Sequence, residues 1–179
     1  MLKPVKLSLF ALLLLLFSCH EKKPGSAALF QLMDSTGIDF NNKVIDQQID
    51  NSFLFRNFYN GGGVAMGDIN NDGLADVFMT SNMGENKLYL NKGHFKFEDI
   101  TPKSGIRQDS MWSTGVVFVD INNDGWLDIY VCNSGHMSDG NRRNKLYINQ
   151  HNLGFIESAH QYGREEGRGS QRTGQREGG

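Results

Sequence analysis

The sequence predicts an all-β protein built from four-stranded antiparallel blades, about two blades of an incomplete β-propeller. Three observations support this prediction: a long segment repeats, each copy reads as a series of short strands, and the composition favours tight turns. The 179 residues include 21 glycines but only 3 prolines, a balance typical of short strands joined by turns. Because propellers close with typically about 4–8 blades, two blades would leave faces and edges without a neighbour.

The repeat is clearest in an acidic segment. Residues 68–76 read DINNDGLAD, and residues 120–128 read DINNDGWLD, 52 positions further along the chain. Residues 86–91 (NKLYLN) recur as residues 144–149 (NKLYIN) at a spacing of 58, which indicates six inserted residues within 135–143. Repeats of about 50–60 residues with insertions in loops are typical of propeller-like folds.

Each copy is predicted to contribute strands in the same order, since short runs of β-branched and aromatic residues alternate with turn residues. The blades are placed at about 53–105 and 112–163. Residues 91–93 would close a hairpin between the third and fourth strands. The expected strands are first strands at 64–66 and 116–119, second strands at 77–79 and 129–132, third strands at 87–90 and 145–148, and a fourth strand at 95–98.

The acidic segment between the first two strands has the spacing of a calcium-binding loop. It carries aspartate, asparagine and aspartate at positions 1, 3 and 5, glycine at 6 and aspartate at 9. Alternate oxygens in a tight loop can point at one ion, and hard oxygen ligands favour Ca²⁺. Position 7 would offer its backbone carbonyl. The predicted ligands are Asp68, Asn70, Asp72, Leu74 and Asp76 in the first loop and Asp120, Asn122, Asp124, Trp126 and Asp128 in the second.

Two other interpretations of this segment are weaker. An EF-hand requires a bidentate glutamate at position 12, where this chain has Met79 and Val131. An ion-free hairpin turn remains open, because Asp-Gly pairs favour such turns. It does not explain why four side-chain oxygens recur at identical spacing in both copies, and three aspartates within nine residues would repel one another without a cation.

The motif Asp-x-Asn-x-Asp-Gly-x-x-Asp between two short strands resembles the calcium loop of the FG-GAP, or VCBS-type, repeat of integrin-like β-propellers. Residues 58–68 and 112–116 resemble the stretches that lead into two successive blades of this kind. Residues 30–163 are similar to the amino-terminal part of surface lipoproteins of the ASPIC/UnbV class, related to cartilage acidic protein, and residues 36–40 fit the lead-in of that class. The resemblance implies a calcium-stabilised propeller but says little about function.

Residues 1–18 are predicted to be a bacterial lipoprotein signal peptide. Two lysines precede an apolar run over residues 7–17, which is too short to span a membrane as a helix. The sequence Leu-Phe-Ser-Cys at 16–19 then resembles a lipobox, so Cys19 would be lipidated and residues 19–29 would form a polar tether. An ordinary signal peptide with a chance cysteine is the alternative. We therefore expect an exported protein, lipid-anchored in the cell envelope at the outer membrane or facing the periplasm.

Residues 164–179 do not continue the repeat. They consist only of Arg, Glu, Gly, Ser, Gln and Thr, and such a segment cannot bury enough apolar surface to order itself. We expect a disordered tail or an out-of-frame end, which would make the chain an amino-terminal fragment of a longer protein.

Two classes of function fit these features. The formal charge of −2 gives no support for nucleic-acid binding, and two cysteines cannot form a disulfide scaffold. The first hypothesis is a non-enzymatic calcium-binding module that binds a protein or glycan, and the alternative is a fragment of a carbohydrate-active lyase or hydrolase that carries such repeats. No catalytic residue is predicted, and Cys132 reads as a small buried hydrophobe.

Several single residues leave both a structural and a functional interpretation open. The aromatic residues Phe58, Trp112 and Trp126 would pack in the core or between blades, or else line a glycan platform. Four of the five histidines are expected to be surface residues without a partner pattern; they are His94, His136, His151 and His160.

Overall fold

A computed structural model describes residues 29–48, 51–54, 56–107, 111–134 and 142–163. The chain divides into two units, residues 1–34 and 35–179. The described part of the first unit, residues 29–34, is mostly exposed and contains no helix or strand. The predicted signal peptide, Cys19 and residues 164–179 lie outside the described residues. Within the described ranges, no helix is both long and apolar enough to cross a membrane.

The described residues of the second unit form two four-stranded antiparallel sheets, in each of which every strand pairs with the next along the chain. A short 3-10 helix, Thr101–Lys103, follows the first sheet. The first sheet, blade 1, contains β1 (Val64–Gly67), β2 (Asp76–Met79), β3 (Lys87–Asn91) and β4 (Phe97–Asp99). The second sheet, blade 2, contains β5 (Trp112–Val119), β6 (Asp128–Ser134), β7 (Lys145–Asn149) and β8 (Phe155–Glu157).

The predicted all-β class with four-stranded blades is confirmed, and the first three strands of each copy overlap their expected positions. β5 begins at Trp112, four residues before the expected start at 116, and β6 ends at Ser134, two residues after the expected end at 132. The fourth strand of blade 1 was expected at 95–98 and is found at Phe97–Asp99. His94 and Phe95 adopt left-handed φ angles of 52° and 56° and belong to the turn that begins at Gly93. Phe95 continues the alternation of apolar and polar residues that is typical of a strand, but it lies in the turn, and the strand starts two residues later at Phe97.

The two blades pack face to face around one core. Phe78 and Leu88 are paired across β2 and β3 and therefore lie on one face of blade 1. Ile129 and Tyr147 are paired across β6 and β7 on one face of blade 2. All four side chains are nearly or fully buried within one hydrophobic cluster. The cluster consists of Ala65, Ile69, Phe78, Leu88, Leu90, Ile100, Ile106, Ile129, Val131, Tyr147 and Phe155.

Polar contacts join the blades where β5 begins. The Thr80 hydroxyl donates to the carbonyl oxygen of Thr114 at 3.1 Å. The backbone amide of Ser113 donates to the carbonyl of Ser81 at 3.2 Å, and the side-chain amide of Asn82 donates to the carbonyl of Ser113 at 3.1 Å. These bonds set the position of blade 2 against blade 1 at the end opposite the acidic loops.

Residues 35–48 pack against blade 1 and were not predicted to do so. The amide of Phe97 donates to the carbonyl of Thr36 at 2.8 Å. The Tyr89 hydroxyl, on a fully buried residue, donates to a carboxylate oxygen of Asp39 at 2.8 Å. Burial and the neighbouring Asp39 carboxylate raise the pKa of Tyr89. This segment therefore lies along β3 and β4 of blade 1, whereas Val64 and Met66 of β1 remain exposed.

Candidate calcium loops at one end of the blades

The two acidic loops lie side by side because each connects the first and second strands of its blade. The side-chain amide of Asn71 in the first loop reaches the carbonyl oxygen of Gly125 in the second at 3.3 Å. Both loops turn through left-handed residues: φ is 58° at Asn71 and 84° at Gly73, and 59° at Asn123 and 85° at Gly125. Asparagine and glycine tolerate this conformation better than other residues, which explains the asparagine at position 4 and the glycine at position 6 of both loops.

The aspartate at position 1 organises each loop from within. Asp68 accepts hydrogen bonds from the amides of Asp72 at 3.1 Å and Gly73 at 2.7 Å. Asp120 accepts the equivalent bonds from Asp124 at 3.1 Å and Gly125 at 2.9 Å. The two copies of the motif thus form the same loop and not merely the same sequence.

The aspartate at position 5 holds the next turn of the loop. Asp72 accepts from the amide of Leu74 at 2.8 Å, and Asp124 accepts from the amide of Trp126 at 2.9 Å. The side-chain amide at position 3 donates to the other carboxylate oxygen, which gives Asn70 to Asp72 at 2.9 Å and Asn122 to Asp124 at 2.7 Å. Positions 1, 3 and 5 are therefore gathered by direct hydrogen bonds in both blades.

The aspartate at position 9 is fully buried at the base of each loop. Asp76 accepts from the amides of Ile69 at 2.9 Å and Asn91 at 2.8 Å. Burial raises the pKa of Asp76, and the negative charges of Asp72 and Asp68 raise it further.

Blade 2 repeats this arrangement. Asp128 accepts from the amides of Ile121 at 3.1 Å and Asn149 at 2.8 Å. Burial raises the pKa of Asp128, and the charges of Asp124 and Asp120 add to the effect. Each loop therefore concentrates negative charge around a buried carboxylate, at an electrostatic cost that a bound cation would offset.

The donor set of each loop matches the chemistry of calcium, which prefers carboxylate, amide and carbonyl oxygens. Each carboxylate oxygen has two lone pairs, so an oxygen that accepts one amide hydrogen can still face an ion. Among the described residues, no group of three or more His, Cys, Asp or Glu side chains stands ready to hold a metal. A site in these loops would therefore depend also on the asparagine at position 3 and the carbonyl at position 7, as the motif requires.

His151 is a neighbour of the second loop that the sequence analysis missed. Its Nε2 lies 3.0 Å from Oδ2 of Asp124, and its ring stacks on Trp126 with centroids 4.7 Å apart and planes 22° apart. The His151 hydrogen bond, followed by that from the Trp126 amide, lowers the pKa of Asp124. His151 is half-exposed, as expected of a surface histidine, but it has partners in Asp124 and Trp126 that no sequence pattern indicated.

The other aromatic candidates have a structural role. Phe58 and Trp112 are 1% and 3% exposed and pack on each other with ring centroids 5.1 Å apart. They belong to the interior and not to a glycan platform. Cys132 is half-buried, and burial raises the pKa of its thiol, which opposes formation of a thiolate.

A polar cleft of about 240 Å³ opens between the blades at the end opposite the acidic loops. Charged side chains of both signs line it, among them Glu85, Arg107 and Lys145. Its floor includes Val131 and Tyr147 of blade 2.

Two antiparallel meander blades, each carrying the same acidic loop, define a β-propeller-like repeat module. Residues 68–131 match the model of the FG-GAP-like repeat family. The chain is 35% identical over 106 residues to cartilage acidic protein 1 of Xenopus tropicalis, which is 59% of this chain and 16% of that protein. It is 35% identical over 72 residues to the Homo sapiens protein of the same name, 40% of this chain and 11% of that protein. The chain thus spans a small part of these relatives, and together the similarities support the repeat family.

Proposed function

We propose that this chain is a non-enzymatic, calcium-binding β-propeller repeat module of a cell-envelope lipoprotein and that it binds a protein or glycan. The observation that supports calcium most directly is the duplication of the loop. The same side chains make the same hydrogen bonds in both blades, around a fully buried aspartate in each. Neither the FG-GAP-like repeat nor cartilage acidic protein 1 carries an enzyme's name, which favours a binding role.

Calcium would be held by the side-chain oxygens at positions 1, 3, 5 and 9 and the carbonyl at position 7. The ion would supply positive charge between carboxylates whose charges raise the pKa of the buried Asp76 and Asp128. The chain's own contribution is to hold those oxygens in place: Asp68 and Asp120 fix the turn, and Asp76 and Asp128 anchor its base. Such a module would be stiffened by extracellular calcium.

Isothermal titration of the full chain with calcium tests this proposal. We expect two sites with dissociation constants of about 10⁻⁴–10⁻³ M, the range of extracellular modules. Asp72→Ala and Asp124→Ala should each remove one site. Asn123→Gly is the matched control, because it changes no proposed ligand and glycine suits the φ of 59° there. A folded chain that takes up no calcium would contradict the proposal.

The proposed function also includes a membrane anchor and a ligand, neither of which depends on the acidic loops alone. Lipidated Cys19 would attach the module to the membrane, although that residue lies outside the described residues. A protein or glycan ligand would meet the loops that project from the ends of the blades, since binding residues concentrate on loops held by a rigid scaffold. A glycan array and a binding screen with envelope proteins would identify the ligand class.

A further inference from the structure

The two acidic loops differ in the contacts of the aspartate at position 5. In blade 2, Oδ2 of Asp124 accepts from Asn122 at 2.7 Å and from His151 at 3.0 Å. In blade 1, Oδ2 of Asp72 accepts from Asn70 at 2.9 Å. The hairpin between the third and fourth strands supplies the extra donor in blade 2.

The repeat itself shows that a histidine is not required at this place in the hairpin. His151 stands where blade 1 has Gly93, and both residues are left-handed, with φ of 63° and 81°. A side chain at such an angle costs free energy that glycine avoids. Position 151 nevertheless carries an imidazole, which is half-exposed and lies against Asp124 and Trp126.

A count of acceptor sites shows what the imidazole does to the second loop. A carboxylate offers about four lone-pair sites. Asp72 uses one for the Leu74 amide and one for Asn70, whereas Asp124 makes the same two bonds and gives a third site to His151. Calcium prefers oxygen ligands to imidazole, so the ring does not act as a ligand. It fills the second acceptor site on Oδ2 of Asp124 and leaves one site on Oδ1, whereas Asp72 keeps one site on each oxygen.

We propose that His151 weakens calcium binding at the second loop, so that the two loops of this chain fill at different calcium concentrations. The inference rests on the proposed calcium function. The first loop would bind at lower calcium, because in the second loop Oδ2 of Asp124 is occupied as long as the Asp124–His151 contact persists. A module of this kind would respond over a wider calcium range than one with two equal loops.

The experiment isolates each loop and then removes the imidazole. Asp72→Ala leaves only the second loop, and Asp124→Ala leaves only the first. In the Asp72→Ala background, His151→Gly should tighten calcium binding by about two- to tenfold, the value of one net hydrogen bond. In the Asp124→Ala background it should change nothing. Glycine suits this φ, and His151→Asn provides a second variant that also tolerates it.

Trp126 supplies a second readout, because its ring stacks on His151. Calcium binding at the second loop should change its emission, whereas Trp112 is buried between the blades. His94→Asn is the control, since it gives the blade 1 hairpin the residue that blade 2 has at Asn152. Equal affinities of the two loops, or no tightening by His151→Gly, would overturn the inference alone. Absence of calcium binding in every variant would overturn both the inference and the proposed function.

Discussion

The side-chain amide of Asn149 donates a hydrogen bond to the backbone carbonyl of Ile69 at 2.8 Å. Asn149 belongs to β7 of blade 2, and Ile69 is the second residue of the acidic loop of blade 1; they are 3% and 1% exposed. The equivalent Asn91 donates to the carbonyl of Ala75 within its own blade at 2.8 Å. Asn149 makes the corresponding bond to Leu127 at 3.1 Å as well. The bond to Ile69 is thus an addition that connects the blades.

Asn149→Ala should lower the free energy of unfolding by about 1–3 kcal/mol, because it leaves the buried Ile69 carbonyl without its partner. Asn91→Ala removes a more exposed bond and should cost less. Urea unfolding followed by circular dichroism measures both. Equal losses in the two variants would show that the contact between blades adds nothing.

Gly63→Ala should destabilise the protein, whereas Gly115→Ala, at the same place in the other repeat, should not. A Cβ at Gly63 would lie 2.7 Å from the carbonyl oxygen of Thr114 in blade 2, and backbone cannot easily move aside. A Cβ at Gly115 would meet Cys132 at 3.7 Å, an ordinary contact. We expect a loss of about 1–3 kcal/mol for the first and a change within about 0.5 kcal/mol for the second. Thermal unfolding of both variants measures the two losses. A tolerated Gly63→Ala would contradict the close approach of Gly63 to the backbone of β5.

The pair formed by Lys87 and Asp99 should stabilise the protein at neutral pH and lose its effect in acid. Their charged atoms are 2.8 Å apart. Burial opposes ionisation of Asp99, but hydrogen bonds from Lys87 and Thr101 outweigh it and hold the pKa of this carboxyl below its ordinary value. A lowered folded pKa means that the stabilisation is complete above the unfolded value of about 3.9 and disappears as the pH falls through the folded pKa.

Asp99→Asn should therefore be less stable than the parent chain by about 1 kcal/mol from pH 5 to 8, and the difference should shrink as the pH falls below about 3.9. Urea midpoints across this range give the comparison. Glu157→Gln in blade 2 is the matched control, and a smaller effect is expected because Lys145 lies 3.9 Å from Glu157. A constant difference down to pH 3 would refute the assignment to Asp99 ionisation.

Calcium should raise the melting temperature, and a chelator should lower it by several degrees. At about 1 mM calcium, a site with a dissociation constant of about 0.1 mM adds roughly 1.4 kcal/mol. Asp72→Ala should remove the larger share of the calcium-dependent shift and Asp124→Ala the smaller, because His151 weakens the second site. Ile69→Ala should lower stability equally with and without chelator, since it removes a core side chain and no proposed ligand. Melting that ignores calcium and chelator alike would argue against both sites.

Cys19→Ala should release the protein from membranes. The lipobox-like sequence at 16–19 motivates this prediction, and a lipidated cysteine that carries more than one acyl chain would anchor the chain stably. Detergent phase partitioning of the parent and variant in the producing bacterium measures the effect. Equal partitioning of the two would exclude Cys19 as an anchor.

The sequence predicts the strands well because two copies of one pattern constrain each other. The strand at Val64–Gly67 is short, but the equivalent strand of the second repeat, β5, is followed by the same acidic motif, and this supports the assignment of both. The packing of residues 35–48 could not be predicted, since it depends on single contacts such as Asp39 with Tyr89. These contacts join residues far apart in sequence and leave no periodic signal.

The residues that organise the two acidic loops could be predicted in part. Spacing alone selects the aspartates at positions 1, 5 and 9, and the structure shows how backbone amides fix each of them. The role of His151 lay outside the motif, although an alignment of the two hairpins would have shown a histidine opposite Gly93 at a left-handed position. The contact of His151 was thus indicated by a position at which the two repeats differ, and not by the positions that they share.

The polar bridges between the blades bear on how the protein comes apart. Asn149 holds the acidic loop of blade 1 at one end, and Ser113 bonds to Ser81 and Asn82 at the other. Hydrogen bonds connect the two sheets at both ends, and the apolar core lies between these ends. We therefore expect that neither sheet separates from the other at one end alone. Backbone amides in the strands of both blades should therefore exchange with solvent only when the two sheets unfold together, as one cooperative unit.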